Sequence, residues 1–378
     1  MRRVVNIGLT LIALGLCSIG CIDPYTPPVS DDTVDYMVIE GNINSTNNSA
    51  IVKISKAIPL AESTDFPKVT GATVFIEKES RAFINLSEVE PGEYSASSTF
   101  DHSIKYRLNV SIRGEKYISD FIQLQKVSPI DSLTWQADQD KLEIRVNTHD
   151  FTEGVKYYKY NFEETYEYRS AFFSSYKFIN GVPIYRTAEE EIHRCWTTAP
   201  STSILVAATE NLKQNRISDF EIVQIERGDP RLFYQYSALV RQSAISEGAY
   251  QYWNHIRNLT ESLGGLFDPI PFQVKGNVYS LDDPDKVVIG YFSGGEVSEK
   301  RIVLKIGEYP YDYKIWGQVN CEEYFIPISD LGTLTNYNII LTRAEYIGIT
   351  IIGYWYSSVP CIDCTTDGGT KVKPDFMY

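Results

Sequence analysis

Gly71-Ala72-Thr73-Val74-Phe75-Ile76-Glu77 is the stretch that decides the fold. A glycine suited to a turn precedes β-branched and aromatic residues, a composition that fits a pleated strand. Similar runs lie before it, at Met37-Val38-Ile39-Glu40-Gly41 and Ala50-Ile51-Val52-Lys53-Ile54. More follow at residues 81–86, 94–97, 106–112 and 117–124, with turns at Pro91-Gly92 and Arg113-Gly114. About seven short strands within residues 36–126 predict an immunoglobulin-like β-sandwich.

Ser128-Pro129-Ile130-Asp131-Ser132-Leu133 reads as a hinge into a second domain spanning residues 127–378. Strand patterns resume at 142–146, 157–162, 204–208, 221–225, 232–240, 287–292 and 301–306. One segment breaks them. Ser246 is a suitable N-cap, Glu247 suits a first turn, and Tyr250, Trp253, Ile256 and Leu259 recur at helical spacing before Gly264-Gly265. The fold class expected is therefore mainly β, a sandwich followed by a larger β-rich domain with one prominent helix.

The N-terminus has a different character. Arg2 and Arg3 precede an apolar run from Val4 to Leu16, and the small residues Ser18 and Gly20 lead to Cys21. This is the layout of a lipoprotein signal peptide over residues 1–20, with Cys21 as the lipidated new N-terminus. An uncleaved anchor would need about 20 apolar residues, and an ordinary secretory signal would not need the cysteine. Residues 21–35 hold Pro24, Pro27, Pro28, Asp31 and Asp32, and read as an extended tether. Asp23, just after the lipidated position, is an acidic cue for surface export. The formal net charge of −14 argues against nucleic acid, whose binding relies on clustered Lys and Arg. It equally argues against electrostatic docking on anionic lipid, so the acyl group carries the expected membrane link.

Four cysteines remain in the folded part: Cys195, Cys321, Cys361 and Cys364. In an exported chain they read as two disulfides, of which three pairings exist. A zinc knuckle at Cys361 and Cys364 is the rival, but Cys195 and Cys321 do not form the second close pair that a zinc ribbon uses.

Signals for catalysis are weak. The four histidines, His102, His149, His193 and His255, form no H-E-x-x-H pair, and no G-x-S-x-G elbow or phosphate-binding glycine loop occurs. His255 reads as a half-buried helix residue, and His193 as a strand neighbour of Cys195. Glu189-Glu190-Glu191 and Asp282-Asp283-Pro284-Asp285 read as solvated turns; the second lacks the glycine and closing glutamate of an EF-hand loop. No metal, cofactor or catalytic residue is expected, although a glycosidase acid pair leaves no local motif. The aromatic stretch 157–178 is the richest constellation. Tyr157, Tyr160, Tyr166, Tyr168 and Tyr176 would either line a binding surface or pack a large sheet, with packing the heavier expectation.

The Gly71-Ala72-Thr73-Val74 strand followed by Gly92-Glu93-Tyr94 resembles carboxypeptidase regulatory-like modules. Taken with the lipobox, Cys195-Trp196, Tyr250-Gln251-Tyr252-Trp253, Gly264-Gly265-Leu266-Phe267-Asp268-Pro269, Gly276-Asn277-Val278, Ile289-Gly290-Tyr291-Phe292 and the tail Cys361-Ile362-Asp363-Cys364, the chain resembles the domain-of-unknown-function 4249 family of Bacteroidota lipoproteins. The resemblance implies an outer-membrane accessory protein, surface-exposed, that accompanies a TonB-dependent β-barrel transporter. It brings no catalytic residues. The alternatives are an envelope hydrolase acting on glycans or peptides, and a structural or adhesive module. Because lipidation needs the thiol, Cys21→Ser should move the protein from the membrane pellet to a soluble or unprocessed form. Fractionation that finds a correctly processed Cys21→Ser protein still in the pellet would refute lipid anchoring.

Overall fold

The computed structural model describes residues 36–57, 66–151, 154–179, 181–261, 275–305, 307–309, 321–334 and 338–378. The signal segment, Cys21, the tether and the 264–269 motif lie outside the described residues.

The first unit contains β1 (Met37–Asn44), β2 (Ser49–Lys56), β3 (Thr73–Lys78), β4 (Phe83–Glu90), β5 (Glu93–Ser97), β6 (Lys105–Ile112), β7 (Glu115–Ser119) and β8 (Ile122–Gln123). One sheet runs β4–β5–β2–β1 and the other β7–β6–β3–β4, with β4 shared and β8 beside β6. Period-two alternation builds the core. In β1, Ile39 and Ile43 are buried while Glu40 and Asn42 are exposed. Ile39, Ile76, Tyr106 and Leu108 interleave between the two sheets. This is the expected immunoglobulin-like sandwich.

The second unit begins with β9 (Ile130–Ala137), β10 (Lys141–His149) and β11 (Tyr157–Arg169). Residues 130–133 of the expected hinge are thus already strand, and Ser128 and Pro129 are the part of it that precedes β9. Then come a hairpin of β12 (Tyr176–Ile179) and β13 (Val182–Tyr185), followed by β14 (Arg194–Pro200), β15 (Leu205–Ala208), β16 (Arg216–Glu226) and β17 (Gln235–Ala244). Helix α1 (Glu247–Glu261) follows, capped as expected by Ser246, whose Oγ accepts the Ala249 amide at 3.2 Å. Its buried face is carried by Ala249 and Tyr252, with Trp253 and Ile256 half-buried beside them. His255 is exposed rather than half-buried, since it lies off that face.

The chain then returns to the first unit, which residues 36–126 alone do not complete. β18 (Val278–Ser280) pairs with β7, while β19 (Val288–Ile289) and β20 (Phe292–Gly295) pair in parallel with β1. Val278, Val288 and Phe292 enter the sandwich core. A parallel partner requires a long crossover, and here β9 to β17 and α1 lie within it. The turn geometry forces glycine at two places. Gly290 has φ +130°, and a Cβ there would sit 1.9 Å from the Ile39 carbonyl oxygen. A Cβ on Gly41 would meet Phe292 Cδ2 at 2.7 Å.

β21 (Val297–Lys305) completes a sheet ordered β14–β11–β17–β21, with β15 also on β11, facing the three-stranded sheet β16–β10–β9. Tyr158, Tyr160, Ile144, Ile225 and Val240 fill the space between. A third, smaller body follows from β22 (Tyr324–Pro327), β23 (Ile339–Ile347) and β24 (Thr350–Ser358), ordered β22–β24–β23, with Tyr176 of β12 in its core. The expected single C-terminal domain is therefore two packed bodies.

Both expected disulfides are present, as Cys195–Cys364 and Cys321–Cys361. The first ties the tail to β14 across 169 positions and the second closes 40. In the chain-entropy account such loops contribute about 5 and about 4 kcal/mol. Peptide mapping of the exported, non-reduced protein should find these two linkages and no free thiol among the four. Recovery of a Cys361–Cys364 linkage, or of stoichiometric zinc on free thiols, would contradict the pairing.

Candidate functional site

Alternation decides which of the expected aromatics are available. In β11, Tyr158, Tyr160 and Phe162 face the core, while Tyr157, Lys159 and Asn161 face the other way. Tyr160 is fully buried and Tyr176 belongs to the core of the third body, so neither is a surface for binding. Tyr166 packs half-buried against the second core and beside Tyr168 at 6.3 Å. Tyr168 donates its hydroxyl to the Cys364 carbonyl at 2.6 Å and holds down the tail. Tyr157 is the exception. It lies against Tyr250 of α1 at 5.1 Å and donates to Glu210.

The outward face of β11 looks across a cleft at the outward face of the first sandwich. Glu40, Asn42 and Asn44 alternate along β1, and their cross-strand partners on β2 are Lys53, Ile51 and Ser49. Ser293 of β20 sits beside Asn42 and donates to its Oδ1 at 3.3 Å. The opposite wall carries Lys159 and Asn161 of β11, Ser243 of β17, Trp253 of α1, and Tyr291. The space between has a volume of about 320 Å3. Among the described residues it is lined by amides, hydroxyls, two ammonium groups, one carboxylate, two aromatic rings and the aliphatic side chains of Ile51 and Ile245.

Two features of this cleft are costly unless something uses them. The Lys159 Nζ stands 3.4 Å above the centre of the Trp253 ring. Among the described residues it makes no hydrogen bond or close ion pair. Burial pushes its ammonium down to about 8, opposed by the charge of Glu40. The indole Nε1 of Trp253 is buried and lacks a hydrogen-bond partner among the described residues. Lys159 is half-buried, and a cation–π contact of about 2 kcal/mol or less replaces only part of the hydration that burial removes. Lys53 by contrast pairs with Glu93 at 3.0 Å.

Elsewhere the ionisable groups serve the framework. Arg231 bridges Asp229 and Glu164, and Tyr236 donates to Glu164 at 2.6 Å. His193 accepts or donates to Ser170 at 3.0 Å, and burial lowers its imidazole below the usual range. Glu189 and Glu190 lie in a short 3-10 turn with a capping box from Thr187, and Glu190 meets Lys177. Asp282 caps the Lys116 amide at 2.9 Å as a turn residue. Among the described residues no group of His, Cys, Asp and Glu is arranged to hold a metal. Lys159 is the candidate residue that sequence reasoning passed over, since it stands inside a tyrosine-rich strand with no motif around it.

The buried tyrosines make a direct test of the core assignment. The Tyr160 hydroxyl has no hydrogen-bond partner among the described residues, so Tyr160→Phe should leave stability unchanged or raise it by about 1 kcal/mol. Tyr236→Phe removes a bond to a carboxylate and should cost about 1.5 kcal/mol or more. Denaturant titration showing the reverse order would overturn the placement of these rings.

Comparison with solved structures finds weak likenesses. A segment of two fibronectin type-III domains from chicken tenascin matches at 9% identity, over 56% of this chain and 92% of that one, with a TM-score of 0.17. A DUF3823 family protein from Bacteroides ovatus matches at 10% identity over 56% and 91%, with a TM-score of 0.15. A Bacteroides uniformis protein provisionally described as carbohydrate binding matches at 9% identity over 72% and 99%, with a TM-score of 0.16. Scores this low mean that the overall arrangements do not superpose, and the sandwich rests on its own strand pairing. No curated protein matches the chain. The sequence family is clear: a model matches residues 22–301, through both sandwich units and the return strands. The chain belongs to the family described as Domain of unknown function (DUF4249).

Proposed function

We propose that this protein is a lipid-anchored outer-membrane accessory module. In this reading it captures a small ligand in the cleft between its two sandwich units and works beside a TonB-dependent transporter. The observation that carries the binding part is the Lys159–Trp253 pair. It is a cation with no close acceptor among the described residues, held on an aromatic face in a cleft whose lining includes several amides and hydroxyls. Binding sites accept such desolvation costs because a ligand resolves them. The Cys21 signal supports the anchor. No helix among the described residues is long and apolar enough to cross a membrane, so the folded body offers no helical substitute for it there. The transporter is implied by the family resemblance.

A hydrolase is the competing class. Among the described residues Glu40 is the one carboxylate lining the cleft, whereas most glycoside hydrolases flank the scissile bond with two. That difference favours binding over turnover. Two measurements test the reading. Pull-down of the native protein from detergent-solubilised outer membrane should recover a β-barrel partner, and a ligand panel should raise the melting temperature without product formation. Turnover of a glycan or peptide by the purified protein would replace this reading with the enzymatic one.

A further inference from the structure

We propose that the ligand of this cleft carries a carboxylate, and that the carboxylate pairs with the Lys159 ammonium. The inference rests on the cleft being a binding site and adds the chemical class of what it binds.

The argument starts from the polar inventory. An ammonium has three donors and no acceptor. In the cleft the Lys159 ammonium touches only the π-face of Trp253, which satisfies charge in part but accepts no directed hydrogen bond. Its strand neighbour Asn161 and its cross-strand partner Ser243 also line the cleft. The missing component is an acceptor carrying negative charge. A neutral sugar hydroxyl would supply an acceptor but leave the charge uncompensated, while a carboxylate supplies both. Around it, Asn42, Asn161, Ser243 and Ser293 offer amides and hydroxyls for the rest of the ligand, and Tyr291 and Trp253 offer apolar surface.

Glu40 does not fill that role. It stands on the opposite wall, makes no ion pair with Lys159 within 4.0 Å, and acts on it only at longer range. The protein thus holds the cation ready without neutralising it. The volume of about 320 Å3 falls within the range of small-ligand sites. Acidic sugars and peptide or amino-acid carboxylates share the required chemistry.

Proton linkage gives the inference a second handle. The charged groups facing Lys159 are Glu40 from β1 and Lys53 from β2. Tyr291 is the titratable ring on its side, and α1 contributes the uncharged Trp253. Burial pushes the ammonium down to about 8, opposed by Glu40. A bound carboxylate favours the charged form, so binding takes up a proton on the alkaline side and affinity falls as pH rises above about 8.

The experiment is isothermal titration calorimetry of the mature protein with matched pairs: uronic-acid disaccharides against their methyl esters, and dipeptides against dipeptide amides. The two families separate sugar from peptide sources. The acid of one pair should bind roughly ten- to hundred-fold more tightly than its neutral form, and Lys159→Gln should erase that difference. Lys159→Gln removes a poorly solvated charge, so its melting temperature should hold or rise, which separates lost binding from unfolding. If acid and neutral forms bind alike and Lys159→Gln changes neither, the carboxylate inference is overturned while the binding cleft stands. If no member of either family binds the folded protein, both fall.

Discussion

The structure depends on one stitch, the parallel pairing of β1 with the segment 288–295. Gly41 donates its amide to the Tyr291 carbonyl at 3.1 Å, and Phe292 fills the sandwich core from the far end of the chain. Asn277 clamps the segment, donating to the Phe292 carbonyl at 2.8 Å and accepting the Phe292 amide at 2.7 Å. The Asn277 side chain is itself buried, so its amide is committed to this task. Through the stitch the first unit is completed by strands that follow most of the second unit in sequence, so the chain passes between the units more than once. The cleft between their outward faces then has walls fixed by backbone hydrogen bonds. Preorganisation of that kind is what lets a site hold an uncompensated charge at all.

Energetics divide along the same line. The cores are apolar and tyrosine-rich, with several phenols whose titration burial pushes well up, as at Tyr160 and Tyr236. Where a phenol finds a carboxylate, as Tyr236 finds Glu164, it adds a directed bond to its packing. Buried acids are paired, as Glu167 is with Arg169 and Arg194 at 2.8 and 2.7 Å. Lys159 differs from these paired charges, since its ammonium meets a ring face and no carboxylate within 4.0 Å among the described residues.

Much of the fold was legible in the sequence because strand alternation is local. Val74 and Ile76 announce an inward face without knowledge of any partner, and Ser246 announces a helix start. What stayed hidden was long-range. Nothing near Met37 signals that its strand partner includes Val288, and nothing near Cys195 singles out Cys364 over Cys361. The same limit governed the tyrosines. Composition marked the 157–178 stretch as important, yet side-chain parity on one strand put Tyr160 in the core and Lys159 in the cleft. The residue that carries the functional reading is the one the aromatic pattern obscured.

The central claim is that the return strands of residues 278–295 make both units one cooperative body around the cleft. Native-state hydrogen exchange of the full mature chain tests it most directly. The Gly41 amide, bonded to Tyr291, should open with the same free energy as the Tyr160 amide of β11 in the second core, reporting one global event. Exchange of Gly41 through a separate, markedly lower-energy opening, with β11 still protected, would show that the stitch yields on its own and that the cleft walls are not held together.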